Sequence, residues 1–358
     1  MAFIPVKGYY DGSGNVTGFQ ELTPTESVSV DKLQALTANG SITINSNIVM
    51  ALGTGITYVT PPTTAGTQGF GVGTYPGTLP SGFSLMTGTT EITSDNYGNY
   101  NYTSGGTTSV MCWIPKFYYR WGNSSSTPYS IYGANSLEVV YAATSGFANT
   151  AAANAAGYIL HRAFIDNNVE KEGFFIDKYQ WSNTSGIAVS VKNGLPLSSY
   201  SAHNPFSGLT GAPANIYGSA FIVAKTRGAD FFPCSIFQFK ALAYMSLAHA
   251  QACKANNYNA YCAWADLADI ASAKNYPRGN NNSNLSAADI DSGSTLVYTT
   301  DGYSYCGLTG SGAPFNLTTH NGQACGVADL NGNMWEITPG ITSDATNFYI
   351  LKESVAMK

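Results

Sequence analysis

The stretch from Gly326 to Gly340, GVADLNGNMWEITPG, constrains this chain more than any other. An apolar strand start (Val327, Ala328) runs into the polar turn Asp329-Leu330-Asn331-Gly332-Asn333 and leaves on Met334-Trp335-Glu336-Ile337. Asn-Gly between two apolar runs is a strong turn signal, because both residues tolerate positive φ. Trp335 then presents a large ring, which reads first as a core residue beside a tight turn. Asp329 and Glu336 are hard carboxylate donors on either side of that turn. The backbone carbonyls of Gly332 and Met334 can add oxygens, a donor set suited to Ca²⁺ rather than Zn²⁺. The plainer alternative is that both carboxylates accept backbone N–H bonds and hold the turn without metal.

Composition narrows the class. Charged residues are 10% of the 358, while hydrophobic residues reach 44% and aromatics 13%. A usual domain is about one quarter charged, so the surface is neutral and polar, but the apolar content excludes a disordered chain. Glycine (38) and tyrosine (24) are abundant. Tyr with Gly, Ser and Asn is the mixture that binding loops favour. The net charge of −5 and the lack of a Lys/Arg run argue against nucleic acid. No apolar run is long enough for a membrane span, and the start MAFIPVKGYYDGSG lacks a secretory apolar core. The expected place of synthesis is a cytoplasm. The six cysteines are scattered without C-x-x-C spacing, so buried free thiols are expected over a Zn site. Cys306 and Cys325 bracket one loop and are the one pair considered for a disulfide.

Three parts are expected in chain order. Residues 1–60 hold two short extended segments, Phe19 to Leu33 and the alternating Ser41 to Met50, neither able to bury a core alone. Residues 61–106 are Gly/Thr-rich and read as short strands or a spacer. Their GFGVG, residues 69–73, lacks the strand–helix context of a nucleotide loop. Residues 107–358 carry the strongest signals. SVMCWIPKFYYRW is a dense strand in which Pro115 implies an edge or a bulge. Gly173 to Tyr179 alternates as a central strand, with Asp177 and Lys178 on opposite faces and Asp177 holding a backbone turn. Gly186 to Gly228 reads as a polar loop excursion. Ser235 caps a helix to Ala255, with Phe239, Leu242, Met245 and Ala248 or His249 on its packed face. Tyr261 to Lys274 reads as a second helix, and Tyr276 to Gly326 as long loops. No His pair has ligand spacing, and no nucleophile elbow is present.

Four stretches carry a family resemblance. Asp329 to Glu336, DLNGNMWE, resembles the (D/N)-x-x-G-N-V-W-E-W segment of the formylglycine-generating-enzyme family. GFFIDKYQWSN (173–183) resembles its F-x-I-D-K-Y-E-V-T-N. MCWIPKFYYR (111–120) and PRGNN (277–281) resemble the M-V-x-I-P-K-F-Y-Y strand and R-G-N-N loop of its phage-type members. The resemblance implies an α+β fold: a C-type-lectin-like domain preceded by β- and loop-rich N-terminal segments. It also implies Ca²⁺ at Asp329, Gly332, Met334 and Glu336, with no cofactor required otherwise. The function implied is that of a phage virion tail-fibre or tail-tip protein, like the targets of diversity-generating retroelements. Such a protein docks on other tail proteins, forms a homotrimer and binds a host-surface receptor such as a glycan. Loops 279–284 and 303–321 would touch the receptor, with Asn281, Tyr303, Tyr305 and Trp335 as contact residues. The later R-G-G-S-W and G-F-R region, where the enzymes carry reactive cysteines, has no match before Lys358. The domain therefore reads as incomplete at its C-terminus and as non-catalytic. An oxidase and a purely architectural virion protein are the alternatives.

Overall fold

The computed structural model describes residues 6–10, 16–21, 51–52, 56–57, 59–62, 64–256, 297–300, 306–330, 333–334 and 336–357. Asn281, Tyr303, Tyr305, Gly332 and Trp335, the helix expected at 261–274 and the strand expected at 41–50 lie outside them, save Met50's neighbours at 51–52. The chain forms two units, Met1–Val49 and Met50–Lys358. In the first, β1 (Val6–Tyr10) and β2 (Val16–Glu21) pair as an antiparallel hairpin with a register shift at Tyr9/Tyr10.

The second unit mixes helices with small antiparallel sheets. After the short pair β3 (Ala51–Leu52) and β4 (Ile56–Thr57) come β5 (Phe83–Leu85), β6 (Asn99–Ser104), β7 (Thr107–Pro115) and β8 (Phe117–Trp121). Helix α1 (Tyr129–Tyr132) precedes β9 (Leu137–Tyr141), and α2 (Thr150–Ala155) precedes β10 (Ile159–Leu160). Strands β11 (Ile165–Asp166), β12 (Val169–Glu170), β13 (Gly173–Asp177), β14 (Trp181–Thr184) and β15 (Ile187–Ser190) follow. Helices α3 (Gly218–Arg227) and α4 (Ile236–Asn256) come next, then the hairpin β16 (Ile341–Ser343) and β17 (Phe348–Ile350).

One ribbon joins the two larger sheets. β7 lies inside the order β13-β7-β6-β5, and β8, one residue later, is the middle strand of β10-β8-β9. The break falls at Pro115. Its register partner is Gly173 on β13, while β6 pairs β7 only as far as Cys112. The missing N–H therefore falls past the end of β6. Pro115 marks the end of an interior strand, not the edge or bulge expected. Phe70, Ile114, Phe117, Leu137, Tyr141 and Phe164 form a core closed by Leu242 and Met245 of α4. Ser235 starts α4 with a reciprocal cap: its N–H donates to Gln238 Oε1 (2.9 Å), and its Oγ accepts from the Gln238 N–H (3.4 Å).

Residues 61–106, read from sequence as short strands or a spacer, supply β5 and β6 and fully buried side chains that include Phe70, Val72, Tyr97 and Tyr100. Their GFGVG segment packs on the C-terminal loops. Gly71 N–H donates to the Tyr141 hydroxyl (2.6 Å), and its carbonyl meets His320 Nε2 at 3.0 Å. Gly71 has φ +104°, and a Cβ there would lie 2.8 Å from both His320 Nε2 and Asn321 Cβ. Gly71→Ala should therefore destabilise the protein by about 2 kcal/mol or more, read as a lower urea midpoint. A change under a few tenths would contradict the packing.

The excursion expected between Gly186 and Gly228 is not all loop. It holds β15 and the ten-residue α3, which buries Ala220, Val223, Ala224 and Arg227. That i, i+3, i+4, i+7 spacing is a helical stripe, hidden among Gly, Ser and Thr. The loop ending at Asn321 also differs from expectation: Thr309, Leu317, Thr319, His320 and Asn321 are buried. Thr309 Oγ1 donates to the Val191 carbonyl (2.7 Å) and Asn321 Nδ2 to the Phe70 carbonyl (2.6 Å). These polar side chains serve the core's backbone, so residues 306–321 are a packed loop and not a free contact surface.

Candidate functional site

β13 ends on two residues that diverge, as strand alternation requires. Lys178 turns inward and is buried. Its Nζ donates to Asn99 Oδ1 (2.6 Å), the Ala324 carbonyl (2.7 Å) and the Asp95 carbonyl (3.3 Å). Burial lowers its pKa, and the three oxygens satisfy its three donors. Asp177 turns outward. Its carboxylate accepts a fork from Arg227, Nη1 to Oδ2 at 2.6 Å and Nη2 to Oδ1 at 2.8 Å, plus Trp181 Nε1 at 2.6 Å. Its role is structural, as expected, but its partners are a guanidinium and an indole instead of a backbone turn.

The turn segment runs beside this strand end. Ala328 N–H donates to the Lys178 carbonyl (2.8 Å). Asp329 is buried with φ +58°. Its Oδ1 accepts from the Tyr298 hydroxyl (3.2 Å) and its Oδ2 from the Gly310 N–H (2.6 Å). Burial pushes its carboxyl up to about 7 against those two bonds, and the charge of Glu336 adds to the push. Glu336 faces open space and accepts from Gln180 Nε2 (2.6 Å). Surrounding protein raises its pKa, but its exposure leaves water access and weakens that push. Asn333 completes the chain, donating to Gln180 Oε1 (3.0 Å) and accepting from the Gly307 N–H (2.9 Å). Met334 Sδ meets Cys306 Sγ at 3.3 Å.

Among the described residues no three His, Cys, Asp or Glu side chains gather as a metal-holding group. Both oxygens of Asp329 are engaged by protein donors, which suits the metal-free turn. The calcium set also draws on the Gly332 carbonyl, outside the described residues.

These pieces surround a cleft of about 1570 Å³. One wall is aromatic. Phe175 of β13 lies 4.3 Å from Phe83, 4.9 Å from Trp113 and 5.3 Å from Tyr75, centroid to centroid. The other end is polar, with Asp177, Gln180, Trp181, Asn333 and Glu336 on its lining. A single small-molecule pocket holds about 300–1,000 Å³, so this cleft suits a larger ligand. Three of the four resembling stretches contribute to it: Met111 and Trp113 from β7, residues 173–177 and 179–181, and Asn333, Met334 and Glu336. The fourth, 277–281, lies outside the described residues.

Gln180 and Arg227 were not singled out from sequence. Gln180 sits inside the GFFIDKYQW stretch, so it was within reach; Arg227 is the last residue of a helix read as loop. Cys306 and Cys325, the pair considered for a disulfide, are not joined to each other. Burial pushes the Cys112 thiol up to about 12 and raises Cys325 as well. No described helix is long and apolar enough to cross a membrane. Compared with protein-family models and with curated proteins, the chain matches none.

Proposed function

We propose that this chain is a virion tail-fibre or tail-tip protein whose second unit is a C-type-lectin-like domain that binds a host-surface receptor through the cleft. The observation that carries the reading is the meeting, along one cleft, of three segments that resemble the formylglycine-generating-enzyme family, one of them the strand of its phage-type members. The mix of half-buried rings with amide and carboxylate groups is the chemistry that engages a glycan or a peptide: rings supply contact area, and Gln180, Asn333 and Glu336 supply directional hydrogen bonds. The first unit attaches the protein to other tail proteins, and the assembly is a homotrimer.

The oxidase alternative needs a thiol that ionises readily. Cys112 and Cys325 are buried and pushed the other way, which favours binding over catalysis. The experiment is to image particles from the source phage by cryo-electron microscopy with an antibody fragment against residues 107–358. Label at the tail tip is expected. Label on the capsid alone, or none on any particle, would overturn the reading.

A further inference from the structure

The cleft runs along a strand edge that nothing described covers. β13 is the outermost strand of its sheet. Lys116 N–H donates to the Glu172 carbonyl and Lys178 N–H to the Val110 carbonyl, so the even-numbered residues of β13 bond to β7. Gly173, Phe175 and Asp177 therefore turn their N–H and C=O groups outward. Among the described residues no strand pairs with them. An open edge of this kind is a template for another strand.

The same chain displays a two-stranded hairpin whose outer edges pair with no other described strand. The β16–β17 hairpin is exposed at every strand position. Phe348 is 81% exposed and Ile350 61%, and Ile341, Ile337 and Val355 are exposed nearby. Its turn is firmly built: Asp344 Oδ1 accepts from the N–H groups of Thr346 (3.0 Å) and Asn347 (2.8 Å), and Oδ2 from the Tyr349 hydroxyl (2.5 Å). An isolated two-stranded hairpin is marginal in water, and a contiguous apolar patch marks a protein contact. The register matches that of the acceptor. Leu351 N–H donates to the Gly340 carbonyl and Asp344 N–H to that of Asn347, which makes Thr342↔Tyr349 the inward-bonded pair. Phe348 and Ile350 hence point their backbone groups outward, two residues apart, like Gly173 and Phe175.

We propose that β17 of a second copy of this chain adds to the outer edge of β13 at Gly173–Phe175, laying Phe348 and Ile350 along the apolar part of the cleft. Three residues long, it covers that part and leaves the polar end at Gln180 and Glu336 open. The donor and acceptor are different surfaces of one molecule. Repetition therefore builds a ring, an open filament or a reciprocal pair. The inference stands on the two strand edges and not on the receptor reading; with β17 in place, receptor contact in the assembly falls to the polar end of the cleft.

The test uses the full-length protein in sedimentation velocity across a concentration series, with F348K/I350K beside wild type. Wild type should self-associate, and the double variant should associate roughly a hundred-fold more weakly. Because the hairpin lies outside the core, the circular dichroism of the variant should match that of wild type, and their melting should coincide at concentrations low enough for wild type to be monomeric. The acceptor is tested separately by amide exchange in the monomeric variant, with a cyclised peptide of residues 340–351 as the probe. Amides of Gly173 and Phe175 should slow, while those of Phe174 and Ile176, already bonded to β7, should not change. A wild type that stays monomeric, association untouched by the double substitution, or no added protection at Gly173 and Phe175 would each overturn the proposal.

Discussion

Replacing Arg227 with alanine should cost about 3–5 kcal/mol of unfolding free energy, the range for removing one partner of a buried ion pair. Arg227 closes α3 and is 2% exposed. Its guanidinium meets both oxygens of Asp177 and lies 4.6 Å from the Phe231 ring centroid. Its carbonyl accepts from the Tyr102 hydroxyl on β6. One side chain thus ties the excursion after β15 to the end of β13. Without it, the Asp177 carboxylate keeps, among the described residues, the Trp181 indole as its one side-chain hydrogen-bond partner in a half-buried place. Lysine cannot replace the fork, since it offers a point charge where two parallel bonds are needed. Arg227→Lys should fall between wild type and Arg227→Ala. Urea denaturation followed by tryptophan fluorescence checks this. An Arg227→Ala midpoint within about 1 kcal/mol of wild type would remove the pair from any stabilising role.

Acid should unfold the protein from below about pH 6.5, and His320 should be a main cause. His320 is buried between the GFGVG segment and the turn. Its Nδ1 accepts from the Val327 N–H (3.0 Å), so Nε2 carries the proton that the Gly71 carbonyl accepts (3.0 Å). A second proton would have to sit on Nδ1, facing a donor. Burial accordingly lowers its pKa from 6.5 to about 4, although the Gly71 contact pulls the other way. His161, buried against Phe117, is lowered further, to about 3, by burial and by the Lys240 charge. A histidine depressed in the folded state binds protons more readily when unfolded. Its stabilising effect is complete above the unfolded value and is lost as pH falls toward the folded one. For His320 this is worth roughly 3 kcal/mol between pH 6.5 and 4. Asp329 runs the opposite way: raised to about 7, it favours the folded state at low pH and loses that effect as pH rises from about 4 to 7. Comparing wild type with His320→Gln separates the two. The variant should lose less stability than wild type on going from pH 7 to pH 4.5, whatever its absolute stability at neutral pH. Parallel profiles would show that His320 does not titrate with unfolding.

Much of the scaffold was legible because its signals are local. The alternation from Gly173 and the Ser235 cap each mark a real element, although β13 ends at Asp177 and lies at the edge of its sheet, not in the centre as expected, and the single strand expected from Met111 to Arg120 is two strands divided at Pro115 between two sheets. The opposed directions of Asp177 and Lys178 follow from strand geometry alone. The losses came where a partner is distant. Arg227 lies fifty residues from Asp177, and no periodicity announces such a pairing. Polarity also misled. Thr309, His320 and Asn321 look like a solvent loop, yet they are buried because they satisfy backbone groups of Val191, Gly71 and Phe70. A stretch rich in Thr, Asn and His can fill a core when loops, rather than ladders, supply the backbone needing partners. The proposed binding surface is consequently the cleft beside β13, which brings together residues from segments far apart in the chain, and not the loop that looked exposed.

The central claim is that this cleft engages a receptor on the cell surface. Its most direct measurement is competition: purified protein added to susceptible cells before the particle, with adsorption counted. Wild type should block adsorption in a dose-dependent way. Gln180→Ala, which removes the amide linking Asn333 to Glu336 at the open polar end, should need roughly ten-fold more protein for the same block. No block by folded wild-type protein, or an equal block by Gln180→Ala, would contradict the account.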